Sequence, residues 1–267
     1  MKKKILEAFR IIFAVIFMIS VGYVICLVLE DYDARRANSQ AQEIAGATDP
    51  SAGTTSPENT PPEQEDEPLP PDEHTPYMQG LDIPALQAVN GEVIGWIYIP
   101  GVDINHPLMH TTDNDKYLYT TWDGDYNADG SIFLETKCAP DLTDFNTIIY
   151  GHNMYSGTMF APLHRYRDHS YYQEHPYIYI ATKDKIYRYE IFSAYEAGVT
   201  TDTYRLWITG DAKATALEHY ITSSIWEAEL TPTTDDFILT LSTCTGTGRY
   251  ETRWVVQAAL NGTWDKE

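Results

Sequence analysis

Nineteen consecutive residues without a charge, 11–29, follow Met1-Lys-Lys-Lys4 and Arg10, and no other feature constrains the chain as much. A stretch of that length spans a bilayer, and the helix is the one spanning form in which a single segment satisfies its own backbone. A secretory leader has a shorter apolar core and a small-residue cleavage site; here Glu30-Asp-Tyr-Asp33 follows instead. The segment therefore reads as an uncleaved signal-anchor. Residues 1–10 form a basic cytoplasmic tail and everything beyond residue 29 lies outside the cell. Cys26, inside the segment, packs in lipid.

Composition changes abruptly after the anchor. Residues 37–76 contain nine acids, no lysine or arginine, and many Pro, Ser and Thr. Such a composition buries too little apolar surface to fold, so residues 30–76 are expected to be an extended, disordered, acidic linker. The overall net charge of −21 excludes nucleic acid as a partner, because phosphate recognition needs clustered cations.

The remainder, 77–267, is long enough for one packed domain. It opens with a short helix at 83–90, with Pro84 near its start and Asn90-Gly91 as its stop. Short β-branched and aromatic runs then recur at 94–99, 104–109, 131–134, 147–150, 177–181 and 185–195. Pro100-Gly101, Asp123-Gly124, Asp129-Gly130 and Lys183-Asp184 punctuate them as turns. A last pair, 237–244 and 253–260, flanks a Gly/Thr-rich loop. About eight strands predict a mainly β protein with a closed or nearly closed barrel. Between residues 211 and 226, Ala214, Leu217, Ile221 and Ile225 recur at helical spacing and predict one helix before the last strand pair.

Chemistry concentrates at strand ends. Along Phe237-Ile-Leu-Thr-Leu-Ser-Thr-Cys244, alternation puts Ile238, Thr240, Ser242 and Cys244 on one face, so Cys244 ends the strand at the mouth of a loop. Arg253 opens the return strand and is carried back towards the sulfur. His152 follows a third strand in Asn146-Thr-Ile-Ile-Tyr-Gly-His152. A thiolate needs a base or a cation beside it, and these two residues would supply both. A lone cysteine more often serves as a small buried hydrophobe, but a Thr/Ser-lined strand end beside a cation weighs against this for Cys244, while Cys138 reads as a partly buried free thiol. Three cysteines do not make a disulfide framework. The histidines are scattered without ligand spacing, Asp123-Gly-Asp125 lacks the spacing of a calcium loop, and no carboxylate pair stands out. A papain-like protease also joins Cys to His, but there the cysteine comes early at a helix start and precedes the histidine.

Several motifs together carry a resemblance. Thr240-Leu-Ser-Thr-Cys244 with Arg253, and Tyr150-Gly-His-Asn-Met154, resemble the active-site motifs of class B sortases. Gly95-Trp-Ile-Tyr-Ile-Pro100, Ile104-Asn-His-Pro107, Asp113-Asn-Asp-Lys-Tyr-Leu118, Gly130-Ser-Ile-Phe-Leu134, Gly157-Thr-Met-Phe160 and Tyr172-Gln-Glu-His-Pro-Tyr-Ile178 extend it over residues 81–260 in family order.

The resemblance implies a membrane-anchored cysteine transpeptidase of a Gram-positive bacterium, with no cofactor and no metal. Such an enzyme cleaves a C-terminal sorting motif after its Thr through a thioacyl intermediate, then transfers the secreted protein to an amine of peptidoglycan or lipid II. By the same resemblance Cys244 is the nucleophile, His152 the proton carrier, and Arg253 the oxyanion and peptide ligand, with Ser242 and Thr243 at substrate-binding positions. Two alternatives stand beside this. One is a non-catalytic surface module that binds sorting motifs or wall peptides. The other is a pilin-polymerising sortase that uses a pilin lysine as acceptor.

Overall fold

The computed structural model describes residues 2–47, 70–246 and 251–266. Helix α1, Lys2–Ala45, runs unbroken through the apolar segment and well beyond it. Its continuation corrects the expectation of a disordered linker from residue 30. Ala34, Ala37, Ala41 and Ala45 are all buried, three or four residues apart, and form one helical stripe. Alanine both favours the helix and lets its backbone approach a neighbour closely. Composition averaged over 37–76 hides this stripe, because the Pro-rich sequence begins only after it. The stripe docks on the domain. Trp122 Nε1 donates to the Ala37 carbonyl at 2.7 Å, Asn127 Nδ2 to the Glu30 carbonyl at 2.9 Å, and Gln42 Nε2 to the Asn105 carbonyl at 3.3 Å. The linker expectation for residues 48–69 falls outside the described residues.

The folded domain also starts earlier than residue 77. Asp72 accepts from Tyr179 Oη at 2.5 Å and from Arg188 Nη1 at 2.7 Å. Short helix α2, Thr75–Gln79, follows, then α3, Ile83–Val89, whose first turn is capped by Asp82 accepting from the Ala85 N–H.

Eight strands close a barrel: β1 Val93–Ile99, β2 Ile104–Met109, β3 Ile132–Leu134, β4 Asn146–Tyr150, β5 Tyr177–Ala181, β6 Lys185–Gly198, β7 Ile238–Cys244 and β8 Thr252–Asp265. Their order around the barrel is β1-β2-β3-β4-β7-β8-β6-β5. The β2–β3 and β4–β7 pairs are parallel and the others antiparallel. Each strand has a hydrogen-bonded neighbour on both sides over at least part of its length. Period-two alternation sends Ile97 and Ile99, Ile178 and Ile180, Leu239 and Leu241, and Val256 and Ala258 into one shared core. The turn into β3 needs Gly130, since its φ is +60° and a Cβ there would meet the Tyr117 carbonyl oxygen at 2.3 Å.

A short helix α4, His169–Glu174, precedes β5, and α5, Ala212–Ser223, lies in the long connection before β7. The buried face of α5 is Ala216, Leu217 and Tyr220, against Phe145, Phe192 and Ile238. Ile221 and Ile225 of the expected stripe are exposed, at 39% and 52%. The helix ends at Ser223, before Ile225, and the Tyr220 ring takes the buried position that Ile221 was expected to fill.

Candidate active site

Three neighbouring strands bring the predicted residues together. β7 pairs antiparallel with β8, and in that register Cys244 stands opposite Arg253. β4 runs parallel on the other side of β7, with Tyr150 beside Ser242. The Gly151 N–H continues this ladder to the Ser242 carbonyl at 3.2 Å, so His152 leaves the barrel next to the end of β7. His152, Cys244 and Arg253 thus lie side by side at one end of the barrel. Cys244 is exposed, while His152 and Arg253 are half-buried.

The loop after β4 is fastened on both sides. The His152 carbonyl accepts from the Phe160 N–H at 2.9 Å, and Asn153 bridges to Met159. The imidazole Nε2 lies 2.8 Å from the Leu118 carbonyl. A carbonyl can only accept, so Nε2 carries a hydrogen and donates, and in the neutral ring Nδ1 is the nitrogen with a free lone pair. Asp129, 3% exposed, sits near enough to feel the His152 charge, and burial holds its carboxyl above the usual range.

Two further side chains clamp the thiol's own peptide. Asn153 Nδ2 donates to the Cys244 carbonyl at 3.1 Å, and His164 Nε2 reaches the same oxygen at 2.9 Å. His164 stacks on Trp254, ring centroids 5.9 Å apart, and Arg167 covers that indole at 4.5 Å. Burial pushes His164 below the ordinary imidazole value, so at neutral pH it is uncharged and donates from Nε2.

On the face of β7 that carries Cys244, polar groups are paired in sequence. Thr240 Oγ1 donates to Asn146 Oδ1 at 2.7 Å and accepts from Gln257 Nε2 at 3.0 Å. Ser242 Oγ and Tyr204 Oη are 2.9 Å apart. Burial raises the Tyr204 hydroxyl to about 12, and both Cys244 and Arg253 act on it electrostatically, so it is a neutral group at the edge of the site. Ser242 is 2% exposed and spends its hydroxyl on Tyr204; Thr243, also 2% exposed, points to the opposite face and its hydroxyl is buried. Cys138 is buried, and desolvation drives its thiol up to about 12. Of the two thiols in the barrel domain, only Cys244 meets solvent.

Tyr204, His164 and Asn153 were not singled out by sequence. Asn153 adjoins His152 within the recognised motif and could have been. Tyr204 and His164 sit in connections whose path to the site exists only once the barrel has closed.

This end of a closed barrel, with a thiol, an imidazole and a guanidinium on adjacent strands, defines a class. The family model of the sortase domain matches residues 97–261, and the chain belongs to the sortase family. The relatives narrow this to class B, the cysteine transpeptidases called sortase B. Sortase B of Listeria monocytogenes is 36% identical over 180 residues, covering 66% of this chain and 72% of that protein. Sortase B of Staphylococcus aureus is 29% identical over 176 residues, with the same two coverages of 66% and 72%. Among solved structures, sortase B from B. anthracis in complex with AAEK1 superposes with a TM-score of 0.69 at 28% identity, covering 88% of this chain and 99% of that one. A Staphylococcus aureus sortase B–substrate complex gives 0.63 at 29% identity, covering 67% and 83%.

Proposed function

We propose that this class B sortase is held in the membrane by residues 11–29 and joins secreted proteins to the cell wall from the outer side. Cys244 Sγ adds to the carbonyl carbon of the Thr in a C-terminal sorting motif. His152 gives its proton to the departing amine as the C–N bond breaks, leaving a thioacyl enzyme. An amine of peptidoglycan or its lipid-linked precursor then attacks that carbonyl, His152 takes the amine's proton, and the thiolate leaves. Arg253 donates to the oxyanion in both halves, its planar fork holding oxygen and peptide together. Ser242 supports the site through its hydrogen bond with Tyr204.

The placement of His152 just past β4, beside Cys244 at the end of β7 and Arg253 on β8, carries this reading. The apolar stretch within Arg10–Ala45, which is long enough to cross a membrane, supports the anchor. A sorting-motif peptide with a glycine-based amine acceptor tests the chemistry. Cys244→Ala should abolish cleavage and transfer with the fold intact, and a thiol-trapping substrate analogue should add mass at Cys244. Cys138→Ala should keep most activity, because that thiol is buried and protonated. Transfer by the Cys244→Ala protein, or an adduct on Cys138, would sink the assignment.

A further inference from the structure

α1 is both the apolar segment and the strut on which the barrel is mounted, and this fixes how far each part of the barrel stands from the end of that segment. The residue just past the apolar stretch, Glu30, already touches the barrel through Asn127. Asp31 pairs with Arg35 at 2.9 Å, and Arg35 Nη2 donates to the Ser156 carbonyl at 3.3 Å. At a rise of about 1.5 Å per residue, Arg35 stands only ~9 Å beyond Leu29 along the axis. The far end of the helix gives the opposite bearing. The Ala45 carbonyl accepts from the Asp82 N–H at 3.0 Å, and Ala45 lies ~24 Å beyond Leu29. Lys266 reaches the Leu81 carbonyl there, and its N–H donates to Asp184 at 2.8 Å. The barrel therefore has a low rim at Asn127 and Ser156 and a high rim at Asp82 and Asp184.

The low rim is aromatic and open. Tyr126, beside Asn127, is 80% exposed; Tyr155, beside Ser156, is fully exposed; Tyr32 on the helix itself is 63% exposed. Tyrosine, with an apolar ring and a polar tip, is the side chain that favours the headgroup boundary of a bilayer. The same rim carries Asp123 and Asp125, so attraction to anionic lipid is not what would seat it.

We infer that the rim bearing Tyr126 and Tyr155 rests in the headgroup layer of the outer leaflet, so that the His152 loop, four residues from Ser156, works at the membrane surface. The inference rests on reading residues 11–29 as a membrane span. The sorting motif and the amine acceptor would then be met at the headgroup plane and not at the end of a long tether.

Depth measurement tests it on the full chain. In a Cys26→Ser, Cys244→Ala background, with Cys138 left buried, a nitroxide label is placed in turn at Ser20→Cys, Tyr126→Cys, Tyr155→Cys and Asp184→Cys. The protein is reconstituted into phosphatidylcholine nanodiscs, and collision with oxygen is compared with collision with an aqueous nickel chelate. Position 20 should be deep. Positions 126 and 155 should meet the chelate at least about twofold less than position 184, as side chains partly withdrawn from water require. If 126 and 155 are as aqueous as 184 while 20 is deep, the rim contact is wrong and the anchor stands. If 20 is itself aqueous, the anchor reading falls, and this inference falls with it.

Discussion

Arg253 faces Cys244 across the β7–β8 ladder, and its partners there include the Thr252 carbonyl at 3.0 Å. Its proposed role depends on shape more than on charge. Arg253→Lys keeps a cation but removes the planar fork. It should lower kcat/KM for peptide cleavage on the order of 100- to 1,000-fold, the usual loss for one oxyanion donor, with little change in thermal stability. A rate near that of the parent would remove Arg253 from the oxyanion site. Arg249, the other arginine near this strand pair, lies outside the described residues. The three central residues were legible in sequence because each ends or begins a strand, and strand ends can be read from local alternation and turn residues. The fine structure around them was not. Ser242 and Thr243 were read alike as substrate positions, yet alternation gives one to Tyr204 and turns the other inward.

At the scale of elements, the barrel strands and both longer domain helices lie close to where periodicity put them. Beyond the continuation of α1 to Ala45, the main departures are two edges that depend on tertiary partners. β6 and β8 run on to Gly198 and Asp265 because each completes the other's ladder. The second edge is the approach to the barrel, where Asp72 looks like one more linker acid. Burial alone would raise its carboxyl, but hydrogen bonds from Tyr179 and Arg188, with the Arg188 charge, outweigh this and hold it below the usual carboxylate value. A carboxyl lowered on folding stabilises the native state above its ordinary pKa, and that contribution fades as pH falls through the native value. The Arg188 side chain is only 10% exposed, so Asp72→Asn would leave a nearly buried cation without its counter-ion. The expected cost is about 3 kcal/mol by chemical denaturation near neutral pH. A change within about 0.5 kcal/mol would mean that Asp72 is the solvated linker residue it resembles in sequence.

At the scale of the whole molecule, acid should act through His106, in the middle of β2. Desolvation brings its imidazole down to about 4, against a weak opposing pull from Asp103. In an unfolded chain the same group titrates near 6.5. Between those values the unfolded chain binds a proton that the native state refuses. Stability is therefore complete above about 6.5 and declines as pH falls towards 4, by about 3 kcal/mol in full. His106→Gln should flatten this limb of a stability–pH curve, and an unchanged slope would show that other groups set it.

The barrel's ordering has a temporal side as well. β4 and β7 are adjacent in space yet begin at residues 146 and 238, and the strand that carries Arg253 comes after both. Parallel pairing over such a separation is among the slower events in folding, because a long loop must close before any contact rewards it. In order of synthesis the strand before His152 comes first of the three and the Cys244 strand later, with the Arg253 strand last. No nascent or truncated form that lacks β8 can set thiol, imidazole and guanidinium together. The three groups therefore come together only when β8 closes the barrel, which makes this end of the barrel among the last parts of the fold to be completed.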